Sequence, residues 1–351
     1  MSARDADGPP LDLRRGRIDL SHGAGGLASA RLIEGLFVAA FDNPPLRAGD
    51  DGAVVEPPPG HRLVVATDAH VIAPLFFPGG DIGSLAVHGT INDVAMMGAA
   101  PLWLTASFVL EEGLPLADLA RIVRSMAAAA AAAGVPVIAG DTKVVERGKG
   151  DGVFVATTGI GALPPGRRLG GALARPGDAV LLSGSIARHG VAVLSRRESL
   201  AFETDVVSDT AALHGLVGAL LAALPEGAVR TLRDPTRGGL GTTLNEIARQ
   251  SRIGMQIDEA AIPIDPPVRA ACELLGLDPL YVANEGRCVV VCDAAHADDA
   301  LRVLREHPLG REAAAIGRVS DDPHRFVRMT TPFGGVRVVD WPVGEPLPRI
   351  C

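Results

Sequence analysis

Short apolar runs that stop on an acid or a glycine alternate along this chain with stretches of helical periodicity, and that alternation constrains the fold more than any other feature. Residues 63–67 stop at Asp68 and residues 135–139 stop at Gly140-Asp141, while 102–110, 153–161 and 179–183 read as further strands. Between them, residues 82–97, 115–133 and 185–197 carry helical patterns, as do residues 29–40 with Leu32, Ile33, Leu36, Phe37 and Ala40 on one stripe. Pro115 suits a helix's first turn and Gly134 its exit. The seven alanines of 127–133 are strong helix formers whose smooth face packs closely on a sheet. Strands alternating with helices predict layered α/β architecture.

A chain of 351 residues exceeds one typical core. The Pro- and Gly-rich stretch 164–177 is the best linker, which predicts an N-terminal domain over 1–163 and a second α/β domain over 178–322. Residues 323–351 are expected to form a short strand pair and an extended tail, with proline after proline opposing helix and Gly344 adding freedom. A formal net charge of -8 argues against a nucleic-acid partner, which needs a basic surface. No apolar stretch approaches the ~20 residues that span a bilayer, and the polar start, residues 1–12, is no signal peptide. A cytoplasmic, membrane-free protein is expected. Of the four cysteines, Cys288 and Cys292 share one side of an apolar strand and Cys272 sits in a helical pattern, so all three read as core. Cys351 is the last residue and reads either as a chance thiol or as a substrate thiol on a mobile arm.

Four acids stand where apolar runs end or loops begin: Asp51, Asp68, Asp93 and Asp141. Singly, each suits a turn or helix cap. Gathered at one sheet edge they would repel, and a divalent cation with phosphate would offset the repulsion. Neither a P-loop nor a strand-anchored dinucleotide fingerprint is present. Two other glycine loops, His22-Gly23-Ala24-Gly25-Gly26 and Asp234-Pro-Thr-Arg237-Gly238-Gly239, precede helices and read either as plain turns or as anion nests. Lys143 and Glu285 are either two solvated charges or, if the fold joins them, a proton-handling pair. The scattered His22, His70, His88 and His189 form no zinc pattern. The carboxylate beside the Cys351 thiol should raise its pKa, with Arg349 opposing.

Taken together, these loops resemble the HypE family of hydrogenase maturation factors. That family belongs to an ATP-binding superfamily with aminoimidazole ribonucleotide synthetase, selenophosphate synthetase and thiamine monophosphate kinase. Besides the two glycine loops, the resemblance rests on Pro74-Leu-Phe-Phe-Pro-Gly-Gly80, Gly89-Thr-Ile-Asn-Asp-Val-Ala95, Leu110-Glu-Glu-Gly-Leu-Pro115, Gly140-Asp-Thr-Lys-Val-Val145, Ala283-Asn-Glu-Gly286 and Pro348-Arg-Ile-Cys351. It covers nearly the whole chain, and the terminal motif is its most specific part. The resemblance implies a two-domain aminoimidazole ribonucleotide synthetase-like α/β fold. Its N-terminal sheet would pair with a second copy in a homodimer. ATP would lie in the cleft between the domains, near the dimer interface. Asp51, Asp68, Asp93 and Asp141 would hold Mg²⁺ and ATP, with Asn92 beside them. Gly23, Gly25 and Gly26 would cover the nucleotide, and Lys143 with Glu285 would form a base dyad at the Cys351 thiol. The implied reaction is ATP-dependent dehydration of a carbamoyl group on Cys351 to a thiocyanate. The carbamoyltransferase HypF would supply the carbamoyl group, and the HypC–HypD scaffold would receive the cyanide for hydrogenase iron. The alternatives are a small-molecule synthetase or kinase of the same superfamily, or a non-catalytic nucleotide-binding carrier.

Overall fold

The computed structural model describes residues 11–197, 204–342, 347 and 349–351. The polar start over 1–10 and the tail segment 343–346 with Pro348, including the Gly344 expected to loosen an arm, lie outside the described residues.

Short helices open the chain: Leu27–Leu32 (α1) runs through a π-helical stretch, Ile33–Val38, into Ala39–Phe41 (α2), and Pro44–Ala48 (α3) follows. The first sheet then forms from β1 (Arg62–His70), β4 (Ala100–Glu111), β5 (Val137–Val145) and β6 (Val153–Leu163), in the order β1-β6-β4-β5. A small ribbon of β2 (Phe76–Phe77) and β3 (Gly80–Asp81) lies between β1 and helix α4 (Ile82–Met96). The Asp81 carboxylate accepts from the Gly83 and Ser84 amides, which starts α4. Helix α5 (Leu116–Ala133) ends on Gly134 at φ 69°.

Both helices cover one face of the sheet. A Cβ at Gly83 would sit 2.3 Å from the Ile122 carbonyl, so glycine there permits α4 and α5 to approach closely. The other face stays open among the described residues, and Leu63 and Val65 are exposed on it. β1 and β5 run past Asp68 and Asp141, so both acids lie within strands rather than at strand ends.

The second sheet has the order β13-β12-β9-β11-β7-β10-β8. Its strands are β7 (Ala179–Leu182), β8 (Val229–Arg233), β9 (Gly254–Asp258), β10 (Val289–Cys292), β11 (Ala314–Ser320), β12 (Val327–Thr330) and β13 (Val336–Val338). Helices α6 (Arg188–Leu194), α7 (His214–Ala223), α8 (Gly239–Ser251), α9 (Pro266–Leu275) and α10 (Ala297–Glu306) complete this half. Strand β10 is buried throughout, with Cys288 and Cys292 in the core and Cys272 buried on α9. The strand pair beyond Pro323 is not a separate unit, because β12 pairs parallel to β9 and extends this sheet. Helix α6 is shorter than the 185–197 expectation, and α8 begins at Gly239, earlier than the approach to Asn245 suggested.

The halves meet along α4. Ala95 and Met96 pack into the cluster formed by Leu213, Leu216 and Leu220 of the second half. Asn92 pins the junction, accepting from the Leu213 amide at 2.7 Å and donating to the Ala211 carbonyl at 3.0 Å.

Candidate active site

The junction gathers carboxylates from both halves. Asp68 of β1 faces the helix layer: its register partner Thr157 sends its hydroxyl to the Ala86 carbonyl of α4. A Cβ at Gly89 would lie 3.5 Å from Asp68 Oδ2 and 3.1 Å from His70 Nε2. Glycine therefore lets this carboxylate rest on α4, one turn before Asp93. Asp234 follows β8, and Glu285 precedes β10. Burial, then Asp234 and Asp68, push Asp93 up to about 7. Burial is also the main cause raising Asp234 to about 6. Glu285 is 3% exposed, and burial together with Asp234, Asp209, Asp68 and Asp93 holds its carboxyl well above the usual range. Its Oε1 has no hydrogen-bond partner among the described residues. A buried, unsatisfied carboxyl ringed by acids is costly to fold and suits a group that must exchange a proton.

Cys351 is docked at this cluster. Burial raises its thiol most, followed by the charge of Glu285, while Arg237 opposes. The opposing cation is thus Arg237, not Arg349, whose guanidinium pairs with Asp151 at 3.1 Å. The chain end lies along the segment that follows β1: Val71 N–H donates to a Cys351 carboxylate oxygen and Ala73 N–H to the Arg349 carbonyl, each at 3.2 Å. Ile350 and Leu347 are buried beneath it.

The remaining predicted residues lie elsewhere. Asp141 and Lys143 are on β5, three strands from β1, a separation of about 14 Å at ~4.8 Å per strand. The register Ala69–Ala156–Ser107–Asp141 places Asp141 on the open face, opposite Asp68, because side chains alternate along a strand. Lys143 does not meet Glu285 in this chain; its ammonium is held by both Asp141 oxygens at 2.7 and 2.6 Å, and that pair lowers Asp141. The glycine loop packs on the same strand, β5. A Cβ at Gly23 would lie 2.9 Å from Val144 of β5, whereas Gly25, at φ 77°, and Gly26 have open space around them. Asp51 is exposed in the loop between α3 and β1. Asn92 engages the Leu213 amide, the Ala211 carbonyl and, at 3.4 Å, the Glu285 carbonyl.

Asp209 was not legible as a site residue. It lies in an irregular stretch with no motif, yet its Oδ1 accepts from the Glu285 amide at 3.2 Å. His70 and His189, set aside as lone histidines, are both buried near the chain end; His189 Nε2 lies 2.7 Å from the Ile350 carbonyl.

The carboxylates of Asp68, Asp93 and Asp234 are hard oxygen donors whose mutual repulsion a divalent cation would relieve. Among the described residues no three His, Cys, Asp or Glu side chains close on one point. The donor set fits Mg²⁺, which takes one or two carboxylates and fills its octahedron with phosphate and water. Beside β5, a cavity of about 130 Å³ is lined by Phe37, Phe41, Phe108, Gly140, Asp141 and Thr142. No helix among the described residues is long and apolar enough to cross a membrane.

Comparison with known proteins agrees with this architecture. Residues 49–163 match the AIR synthase related protein N-terminal domain, and residues 175–330 match its C-terminal domain. The chain is 67% identical over 342 residues to carbamoyl dehydratase HypE of Cupriavidus necator, covering 97% of each. A crystal structure of hydrogenase maturation protein HypE in complex with ATP superposes with a TM-score of 0.90 at 48% identity, covering 95% of this chain and 99% of that one. A HypE–HypF complex gives a TM-score of 0.77 at 48% identity, over 89% and 99% of the two chains. The chain belongs to the carbamoyl dehydratase HypE family of hydrogenase maturation proteins, built on the two-domain AIR synthase-related fold.

Proposed function

We propose that this enzyme uses ATP to dehydrate an S-carbamoyl group on its own Cys351 to an S-cyanate, the source of cyanide for hydrogenase iron. The observation that carries the reading is the chain end held along the segment after β1, where the Cys351 thiol is buried within the electrostatic reach of Glu285, Asp68 and Asp234. The amide oxygen of S–C(=O)–NH₂ leaves poorly. Its attack on the ATP γ-phosphorus breaks the bond to ADP and turns that oxygen into part of a phosphate leaving group. Expelling phosphate and two nitrogen-bound protons leaves S–C≡N. Glu285, its carboxyl held above the usual carboxylate range, accepts one of those protons when ionised, and the departing phosphate carries the other. Asp68 and Asp93 would hold Mg²⁺, which would offset charge on the transferring phosphoryl.

The reading includes HypF as carbamoyl donor and HypC–HypD as cyanide acceptor. The HypE–HypF complex of a relative supports the first. It also includes a homodimer through the open sheet face, where Leu63 and Val65 are exposed. The second copy would supply what the separated β5 cluster lacks. The exposed Lys143–Asp141 pair is worth under about 1 kcal/mol, so Lys143 is free to change partner. A cytoplasmic setting suits the four free cysteines.

The test is mass spectrometry of the intact protein after incubation with carbamoyl phosphate, HypF and ATP. Carbamoylated Cys351 should lose the mass of water only when ATP is present. Nitrile formation or equal phosphate release by Cys351→Ala would refute the proposal.

A further inference from the structure

The last three residues of the chain each have a backbone oxygen met by a donor from the body. Cys351 is met by Val71 N–H, and Arg349 by Ala73 N–H and by Arg197 Nη2 at 2.9 Å. The Ile350 carbonyl is met by His189, a fully buried residue near the start of α6. Because a carbonyl only accepts, His189 Nε2 must carry the hydrogen. Its Nδ1 then accepts from the Ser208 hydroxyl at 2.8 Å, and Ser208 Oγ in turn accepts from the Thr210 amide at 3.1 Å. The bonds all point one way, from residue 210 to the docked chain end. Phe77 closes the ring from the side, edge-on at 5.3 Å between centroids. Gly190 follows, where a Cβ would lie 3.4 Å from Leu347.

The same short segment reaches the acidic cluster. Ser208 N–H donates to the Pro78 carbonyl, Asp209 holds the Glu285 amide, and Ala211 accepts from Asn92. One stretch, residues 208–211, therefore touches the latch on the chain end, the backbone amide of Glu285 and the pin between the halves.

We propose that His189, oriented by Ser208, is a positioning residue that latches the chain end into the cleft and sets Cys351 against Glu285. The role in turnover rests on the dehydratase reading, whereas the docking does not. A protein with a weakened latch keeps its chain end out of the cleft for longer. It therefore remains a good acceptor of the carbamoyl group and becomes a poor dehydratase.

The experiment measures the rate at which 5,5′-dithiobis(2-nitrobenzoate) modifies Cys351 in the full-length protein. The other three cysteines are 0–1% exposed, and Cys351→Ala supplies their background. His189→Leu removes the donor, and the loss of one buried hydrogen bond should raise the labelling rate about tenfold. His189→Gln restores an amide donor and should return the rate to within about threefold of wild type. Ser208→Ala leaves the ring unoriented and should fall between them. With HypF and ATP, His189→Leu should still be carbamoylated while nitrile formation slows, and Gln should rescue it. Wild-type labelling rates in a folded His189→Leu protein, or in Ser208→Ala if the leucine variant does not fold, would overturn the latch. Faster labelling with no nitrile formed by any variant, wild type included, would uphold the latch and defeat the dehydratase reading instead.

Discussion

Asp93→Asn should make the ligand-free protein more stable, and increasingly so as pH rises. In the folded chain Asp93 is pushed from 3.8 up to about 7 by burial and by Asp234 and Asp68. A carboxyl raised on folding costs nothing below its unfolded value, where both states are protonated. As pH climbs toward the folded value, the unfolded state alone releases the proton, and stability is lost. The shift is roughly three units, so the full loss is about 4 kcal/mol at 1.36 kcal/mol per unit. This is a ceiling, because Asp234 is raised by the same surroundings and gains when Asp93 is neutralised. Asparagine keeps the shape and cannot ionise. Thermal melts of both proteins without nucleotide, from about pH 3 to about pH 8, should show curves that coincide at the acid end. They should separate by several degrees at the alkaline end. An advantage that is equal at both ends, or absent near pH 8, would refute the argument that the cleft stores carboxylate repulsion.

Glu285→Gln should fold and accept a carbamoyl group, yet form nitrile ~10²–10⁴-fold more slowly in single-turnover mass spectrometry, the usual worth of a positioned base. In the wild type, nitrile formation should fall off on acidification at a pH above the ordinary carboxylate range, because Glu285 must be ionised to accept a proton and its carboxyl is raised. Asn92→Ala leaves the Leu213 amide and the Ala211 carbonyl without their partner and should cost ~2–4 kcal/mol in denaturant unfolding. Gly83→Ala drives a methyl to 2.3 Å from the Ile122 carbonyl and should cost ~1–3 kcal/mol by the same assay as α4 and α5 are pushed apart.

Apolar patterning located many of the strands and helices, because burying part of each element demands it. Residues 82–96 and 116–133 follow their apolar spacing, and Gly134 ends α5 as a residue free to take positive φ must. The motifs around Asp68, Asp93 and Glu285 and the terminal Cys351 stood out in the sequence, because each carries chemistry that core packing does not call for. Which of these residues meet was decided only by the tertiary structure. Strand alternation sends Asp68 and Asp141 to opposite faces, and sheet order sets them three strands apart; neither follows from the local sequence around either acid. Asn92 gains its partners only because the second half of the chain closes on it. His189 and Asp209 carry no local motif. Their partners lie 161 and 76 residues away, and only the folded chain, by bringing α6 beneath the chain end and residues 208–211 against Glu285, gives them a part in the site.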